Sequence, residues 1–271
     1  MSKPAKSAAI KASPRMRGVL PLQSAVSTTP KPVAKSATKK HAAKPIAKKS
    51  TAKTSASRHP SLATVTQIFE RFKSATPEPK GELEHANPFT LLVAVVLSAQ
   101  ATDAGVNKAT RALFAIADTP VKMLALGEDA VREHVKTIGL FRNKAKNVIA
   151  LSAQLLRDHR GEVPADRDSL TALPGVGRKT ANVVLNMAFG HKTMAVDTHV
   201  FRVAHRLDLS HGKTPEAVED DLMRIIPDAY LFHAHHWLIL HGRYICIARG
   251  PKCGICPVAD LCISADKTIS M

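Results

Sequence analysis

A chain of 271 residues that is 45% hydrophobic can bury one large core or two modest ones, and no stretch of it is long and apolar enough to span a membrane. Lys and Arg number 39 against 22 Asp and Glu, a formal charge of +17 that points to a polyanionic partner. All four Cys fall between Cys246 and Cys262, which excludes a disulfide framework and argues for a reducing compartment and a ligand cluster.

The charge is uneven. Residues 1–59 hold eleven Lys and three Arg and no acid, so the rest carries 25 basic against 22 acidic residues and is nearly neutral. Built from Ala, Lys, Ser, Thr and Pro, this tail is predicted to be disordered, either as a polycation adding sequence-independent DNA affinity or as a solvated extension. It lacks the apolar run of a secretory signal, and its lysines and prolines fit an amphipathic presequence poorly.

From Leu62 the pattern becomes helical: Leu62, Val65, Phe69 and Phe72 fall on one face. Asn87-Pro88 reads as N-cap and first position of a second helix, and the apolar run Leu91–Leu97 as a buried helix among helical neighbours. Further caps are expected at Asp103, Thr119-Pro120 and Thr214-Pro215, with stops at Gly127, Gly139, Gly161 and Gly190. With no alternating strand pattern, the fold class is all-α.

Leu173-Pro174-Gly175-Val176-Gly177-Arg178-Lys179-Thr180-Ala181 organises the rest. Pro174, Gly175 and Gly177 specify a tight turn between two helices, a helix-hairpin-helix. Glycine serves there either through positive φ or by letting another molecule approach. The following helix, with Ala181, Val184, Leu185 and Ala188 on one face, points the free N–H groups of its first turn out of the hairpin, where they suit a phosphate. Lys179, in that turn, is a candidate phosphate clamp or nucleophile. Thirty-six residues earlier, Gly139-Leu140-Phe141-Arg142 echoes the motif, either as a similar helix corner or as a second approach to DNA.

Asp197-Thr198 reads as the N-cap of a helix bearing Val200, Val203, Ala204 and Leu207. His233, His235, His236 and His241 lack partners at metal spacing and read as packing residues. Cys246, Cys253, Cys256 and Cys262 are spaced C-x6-C-x2-C-x5-C. One C-x2-C pair, rather than the two knuckles usual for four-cysteine zinc, leaves zinc or an iron–sulfur cluster open.

The hairpin motif, Ala195-Val196-Asp197-Thr198-His199 and the cysteine pattern together resemble the endonuclease III family of helix-hairpin-helix DNA glycosylases, from about residue 60 to about 265. The resemblance implies a bifunctional glycosylase and AP lyase that removes oxidised pyrimidines from duplex DNA and cleaves the strand by β-elimination. By resemblance Lys179 is the imine-forming nucleophile, Asp197 its assisting carboxylate, and Gln100 and Leu140 fill the gap left by a flipped nucleotide. Gly175, Val176, Gly177 and Arg178 would contact the backbone, and the four cysteines would hold a [4Fe–4S] cluster. Arg249 and Lys252 would lie near phosphate.

The implied architecture is a helical domain of residues 81–191 ending in the hairpin, and a cluster domain from 60–80 plus 192–271, with Lys179 and Asp197 facing across the groove between them. The partner would be duplex DNA with damaged bases or abasic sites, met by a monomer in the cytoplasm, associated with the nucleoid. Adenine glycosylases share the cysteine pattern but carry a carboxylate in the helix matching Leu91–Ser98 and lack the lysine. This chain has no acid there, keeps Lys179, and has nine residues after Cys262 where those enzymes carry a further domain. A non-catalytic DNA-binding protein is the alternative from another class.

Overall fold

The computed structural model describes residues 59–268, so the expected disorder of the tail lies outside the described residues. Those residues are helical and contain no strand: α1 Leu62–Ala75, α2 Pro88–Leu97, α3 Asp103–Ile116, α4 Pro120–Leu126, α5 Glu128–Val135, α6 Phe141–His159, α7 Arg167–Thr171, α8 Arg178–Phe189, α9 Thr198–Arg206, α10 Pro215–Ile225 and α11 Asp228–Tyr244, then a 3₁₀ turn at Cys253–Ile255. Among them no helix is long and apolar enough to cross a membrane.

Local chemistry sets the helix starts. Asn87 and Thr90 cap α2 reciprocally, the Thr90 amide donating to Asn87 Oδ1 at 2.9 Å and the Asn87 amide to Thr90 Oγ1 at 3.0 Å, with Pro88 at the first position. Thr119 and Thr214 cap α4 and α10 before their prolines. The cap of α3 is Thr102, one residue before the expected Asp103, because the Thr102 hydroxyl takes the Gly105 amide at 3.2 Å and leaves Asp103 in the first turn. In α1 the buried face is Val65, Ile68, Phe69 and Phe72, while Leu62 is exposed. The helix turns its middle toward α11 and leaves its first turn in solvent.

Two cores result. Residues of α2 to α8, from Phe89 to Leu185, form one. Residues of α1, α9, α10 and α11, with Met194, Val196 and Val258, form the other around Phe69, Tyr230 and Trp237. The apolar run of α2 is buried on all sides because it faces two ways. Leu92, Val93, Val96 and Leu97 enter the first core, and Leu91 and Val95 pack on Val183 of α8 and Ala195. Each such side chain is worth about 1.5–3 kcal/mol of burial, which makes α2 a main source of cohesion at the base of α8.

Candidate active site and cysteine loop

The hairpin runs from α7 through Leu173–Gly177 into α8. Leu173 and Val176 are buried and anchor the turn, closed by the Val176 amide on Leu173 O at 3.1 Å. The two glycines have different reasons. Gly175 has φ +79°, and a Cβ there would lie 2.8 Å from Asn147 Nδ2 of α6. Gly177 is extended, with φ −95° and ψ 174°, and nothing stands within 4 Å of the place a Cβ would occupy. Its smallness therefore leaves open space at the mouth of the hairpin. As N-cap of α8 it has no side chain to satisfy the first amides, which stay directed outward.

Lys179 is exposed in that first turn and lines a cleft with Ser98, Asp103, Val183, Met187 and His235. Asp197 is not among the walls. It is half-buried as N-cap of α9, where Oδ1 accepts the Val200 and His199 amides at 2.8 and 2.9 Å and Oδ2 lies 3.0 Å from His199 Nδ1. Burial alone would raise its pKa. The Val200 amide, the His199 ring and the Lys179 charge outweigh that and hold the carboxyl below its ordinary range, so it is ionised at neutral pH.

Buried amides fix the two residues' supports to each other. Asn182 Nδ2 donates to Met194 O at 2.9 Å, and the Thr193 hydroxyl donates to Asn182 O at 2.6 Å, tying α8 to the strand-like segment before Asp197. Asn186 Nδ2 donates to His191 O and Phe232 O at 2.9 and 3.0 Å. These were not singled out from sequence, although two Asn at i and i+4 beside the apolar face of a helix are a visible signal. Glu219 was also missed. It lies 41 residues from Arg178, with no local pattern linking them, yet Arg178 donates to its two oxygens at 2.8 and 3.0 Å.

Gln100 and Leu140 share an uncommon conformation. Their φ values are 55° and 57°, the left-handed region that costs a residue bearing a Cβ about 1–2 kcal/mol. Leu140 is 57% exposed, Gln100 is exposed, and the Gln100 carbonyl lies 3.6 Å from where a Cβ on Gly139 would stand, so the two loops are neighbours. The echo of the hairpin thus starts α6 through a strained Leu140, whereas α8 starts through Gly177 in extended backbone.

The histidines of α11 are packed. His235 and His236 meet edge to face at 5.2 Å, and His241 stands 5.0 Å from Phe72. Burial, then His236 and Lys179, push His235 down to about 3, and its Nδ1 meets no protein partner. Burial likewise pushes His236 and His241 down to about 4.

Cys246, Cys253, Cys256 and Cys262 line a single pocket with Arg206 and His241. Among the described residues no three His, Cys, Asp or Glu are placed to hold one metal ion. Donors point at the sulfurs: Arg206 Nη1 to Cys246 at 3.4 Å and the Thr268 amide to Cys253 at 3.4 Å. Four sulfur donors with N–H groups around them fit an iron–sulfur cluster. Arg202 and Arg206 of α9 also hold the loop's backbone, through Cys246 O at 3.1 Å and Ile247 O at 2.8 Å, and Arg202 reaches Gly242 O of α11 at 2.7 Å. Arg249 and Lys252 are exposed.

Comparison with known proteins follows the same division. Residues 93–228 match the model of the HhH-GPD superfamily base excision DNA repair proteins, and residues 246–262 match the iron-sulfur binding domain of endonuclease III. Endonuclease III of Rickettsia conorii is 60% identical over 198 residues, 73% of this chain and 94% of the relative. That of Escherichia coli (strain K12) is 54% identical over 201 residues, covering 74% and 95%. A trapped endonuclease III–DNA covalent intermediate superposes with a TM-score of 0.71 at 45% identity, over 75% of this chain and 96% of the other. A hairpin with an open mouth and an exposed lysine, a carboxylate kept ionised behind it and a loop of four cysteines thus coincide with the regions matched, and the cofactor is a [4Fe–4S] cluster: the chain belongs to the endonuclease III family of helix-hairpin-helix base excision repair proteins.

Proposed function

We propose that this DNA glycosylase and AP lyase of base excision repair excises oxidised pyrimidines, using Lys179 as nucleophile and Asp197 as the charge that assists it. The observation that carries this reading is the pairing of an exposed amine at the open start of α8 with a half-buried carboxylate held ionised partly by that amine.

In this reading the Lys179 amine, once deprotonated, attacks C1′ as the bond to the damaged base breaks, and the base leaves with a proton. Asp197 stabilises the positive charge that develops on the sugar. Opening of the sugar ring then gives an imine between Lys179 and C1′. Loss of a proton from C2′ expels the 3′ phosphate, and water hydrolyses the imine to free the lysine. Reaching C1′ requires extrusion of the nucleotide, for which exposed Leu140 and Gln100 would fill the vacated space. The Gly175, Gly177 and Arg178 amides would hold phosphate, on a turn that the Val176 amide closes.

Cys246, Cys253, Cys256 and Cys262 would hold the [4Fe–4S] cluster as thiolates, and when bound it supplies iron–sulfur cross-links that close the loop. The two cores are supports for two domains, residues 81–191 and residues 60–80 plus 192–271. The protein would act as a monomer on damaged duplexes in the bacterial cytoplasm, at the nucleoid. The solved relatives include a non-covalent complex of endonuclease III with DNA, which supports the partner.

Borohydride reduction of the reaction with an abasic duplex tests the nucleophile. Wild-type protein is expected to be trapped covalently and Lys179→Gln to bind but not trap. Trapping by the variant would require another nucleophile.

A further inference from the structure

We propose that Glu219 is the positioning residue of the hairpin. By gripping Arg178 from α10, it sets where the neighbouring Lys179 stands and keeps the Arg178 charge from acting on DNA. This rests on the reading of Lys179 as nucleophile.

Glu219 is 5% exposed, a carboxylate otherwise surrounded by the second core, between Val218 and Leu222 of the same helix. Its two oxygens accept Arg178 Nε and Nη2 at 2.8 and 3.0 Å, and Arg167 Nη2 of α7 stands 3.5 Å away. One acid therefore engages both helices of the hairpin. Arg178 is the first residue of α8 and Lys179 the second, so the fork acts one residue from the reacting amine. The apolar face of α8, Ala181, Val184 and Leu185, belongs to the first core, while Val218 and Leu222 of α10 belong to the second. The fork thus crosses from one core to the other at the point where Lys179 and Asp197 must be aligned, since α10 packs on α9, which Asp197 caps.

A buried ion pair adds little net stability compared with an apolar replacement, but a two-pronged guanidinium–carboxylate contact fixes direction and distance. Direction is what a nucleophile on an exposed first turn lacks. The same pairing has an electrostatic effect. Arg178 is 41% exposed at the mouth of a phosphate-binding hairpin, yet its charge is answered by Glu219, with Asp220 and Glu216 of α10 adding to it. The hairpin then meets phosphate mainly with backbone N–H groups.

Full-length protein carrying its cluster is compared with Glu219→Gln and with Glu219→Gln combined with Arg178→Gln. Borohydride trapping on an abasic duplex is followed in single turnover, and affinity for an undamaged duplex is followed against salt. Since a displacement of about 1 Å costs up to about 100-fold, trapping by Glu219→Gln should slow by about tenfold or more. The freed guanidinium should steepen the slope of log affinity against log salt by about 0.9. The double variant should lower the slope again by about 0.9 relative to Glu219→Gln and still trap slowly. It leaves Glu219's site with no unpaired Arg178, so it keeps the test readable should the single variant fail to fold. Wild-type trapping in either variant overturns the proposal, and so does slow trapping by Glu219→Gln with an unchanged salt slope, the mark of a merely structural residue. Failure of the Lys179 reading has a different signature, continued trapping by Lys179→Gln.

Discussion

Replacing Asp197 by asparagine removes one charge and almost nothing else. The Oδ1 that accepts the Val200 and His199 amides at 2.8 and 2.9 Å is retained, and asparagine caps helices about as well as aspartate. What is lost is the ionic part of these bonds and of the contact with His199 at 3.0 Å, about 1 kcal/mol. For a folded body of this size that corresponds to about 2–4 °C in Tm. Turnover responds to a different quantity, the stabilisation of charge on the sugar, whose removal costs about 100- to 1,000-fold, or about 2.7–4 kcal/mol. The pH dependence separates the two further. The folded pKa of Asp197 is depressed, so its contribution is present above the unfolded value of about 3.9 and is lost as pH falls through the folded one. The asparagine variant should lack that acid-sensitive component. Single-turnover excision of an oxidised pyrimidine, with thermal melts at neutral and acid pH, measures both. Near-normal excision, or a fall in Tm of about 10 °C or more with activity following it, would refute the assignment of charge to chemistry and cap to stability.

Three further outcomes are expected. Gly175→Ala should cost about 2–3 kcal/mol, from the left-handed backbone and the Asn147 overlap at 2.8 Å, and adding Asn147→Ala should return about 1 kcal/mol; denaturant midpoints of the four proteins in the cycle check this. His236 is held neutral with its pKa near 4, so it contributes stability above the unfolded value of about 6.5 that falls by about 2 kcal/mol between pH 7 and 5, and His236→Gln should flatten this loss in chemical denaturation. The 14 positive charges of residues 1–59 should make binding to any duplex steeply salt-dependent, with about 0.9 of slope per phosphate contact, without altering which lesion is cut. Binding of full-length protein and a form starting near His59 to damaged and undamaged duplexes decides it, since parallel slopes or a changed preference would contradict it.

The helices were legible because their starts are written locally: Asn87-Pro88, Thr119-Pro120 and Thr214-Pro215 each place an oxygen acceptor and a preset φ in adjacent positions. The face of α1 was read one position wide of the mark at Leu62, because period alone does not say which turn meets α11. Of the candidate site, the hairpin and Lys179 were readable as a motif, while Asp197 read as a cap until the family pattern gave it a second role. What sequence could not give is whatever depends on partners far apart in the chain, such as Glu219 with Arg178 or Asn186 with Phe232. The left-handed backbone of Gln100 and Leu140 was equally hidden, since neither residue type favours it and only the surrounding loops impose it.

Helix α9 carries Asp197 at its start, and Arg202 and Arg206, four residues apart in its middle and at its end, fasten the cysteine loop through Cys246 O and Ile247 O. A helix is a screw: one residue added between Asp197 and Arg202 would turn the carboxylate by about 100° and advance it by about 1.5 Å relative to the loop. The exposed positions of α9 are therefore free to vary in kind, but the number of residues between its two ends is not. Among descendants of this chain, insertions and deletions should be absent from 197–206 even where substitutions accumulate, and a lineage that lost the cysteine loop would be the first in which that register could drift.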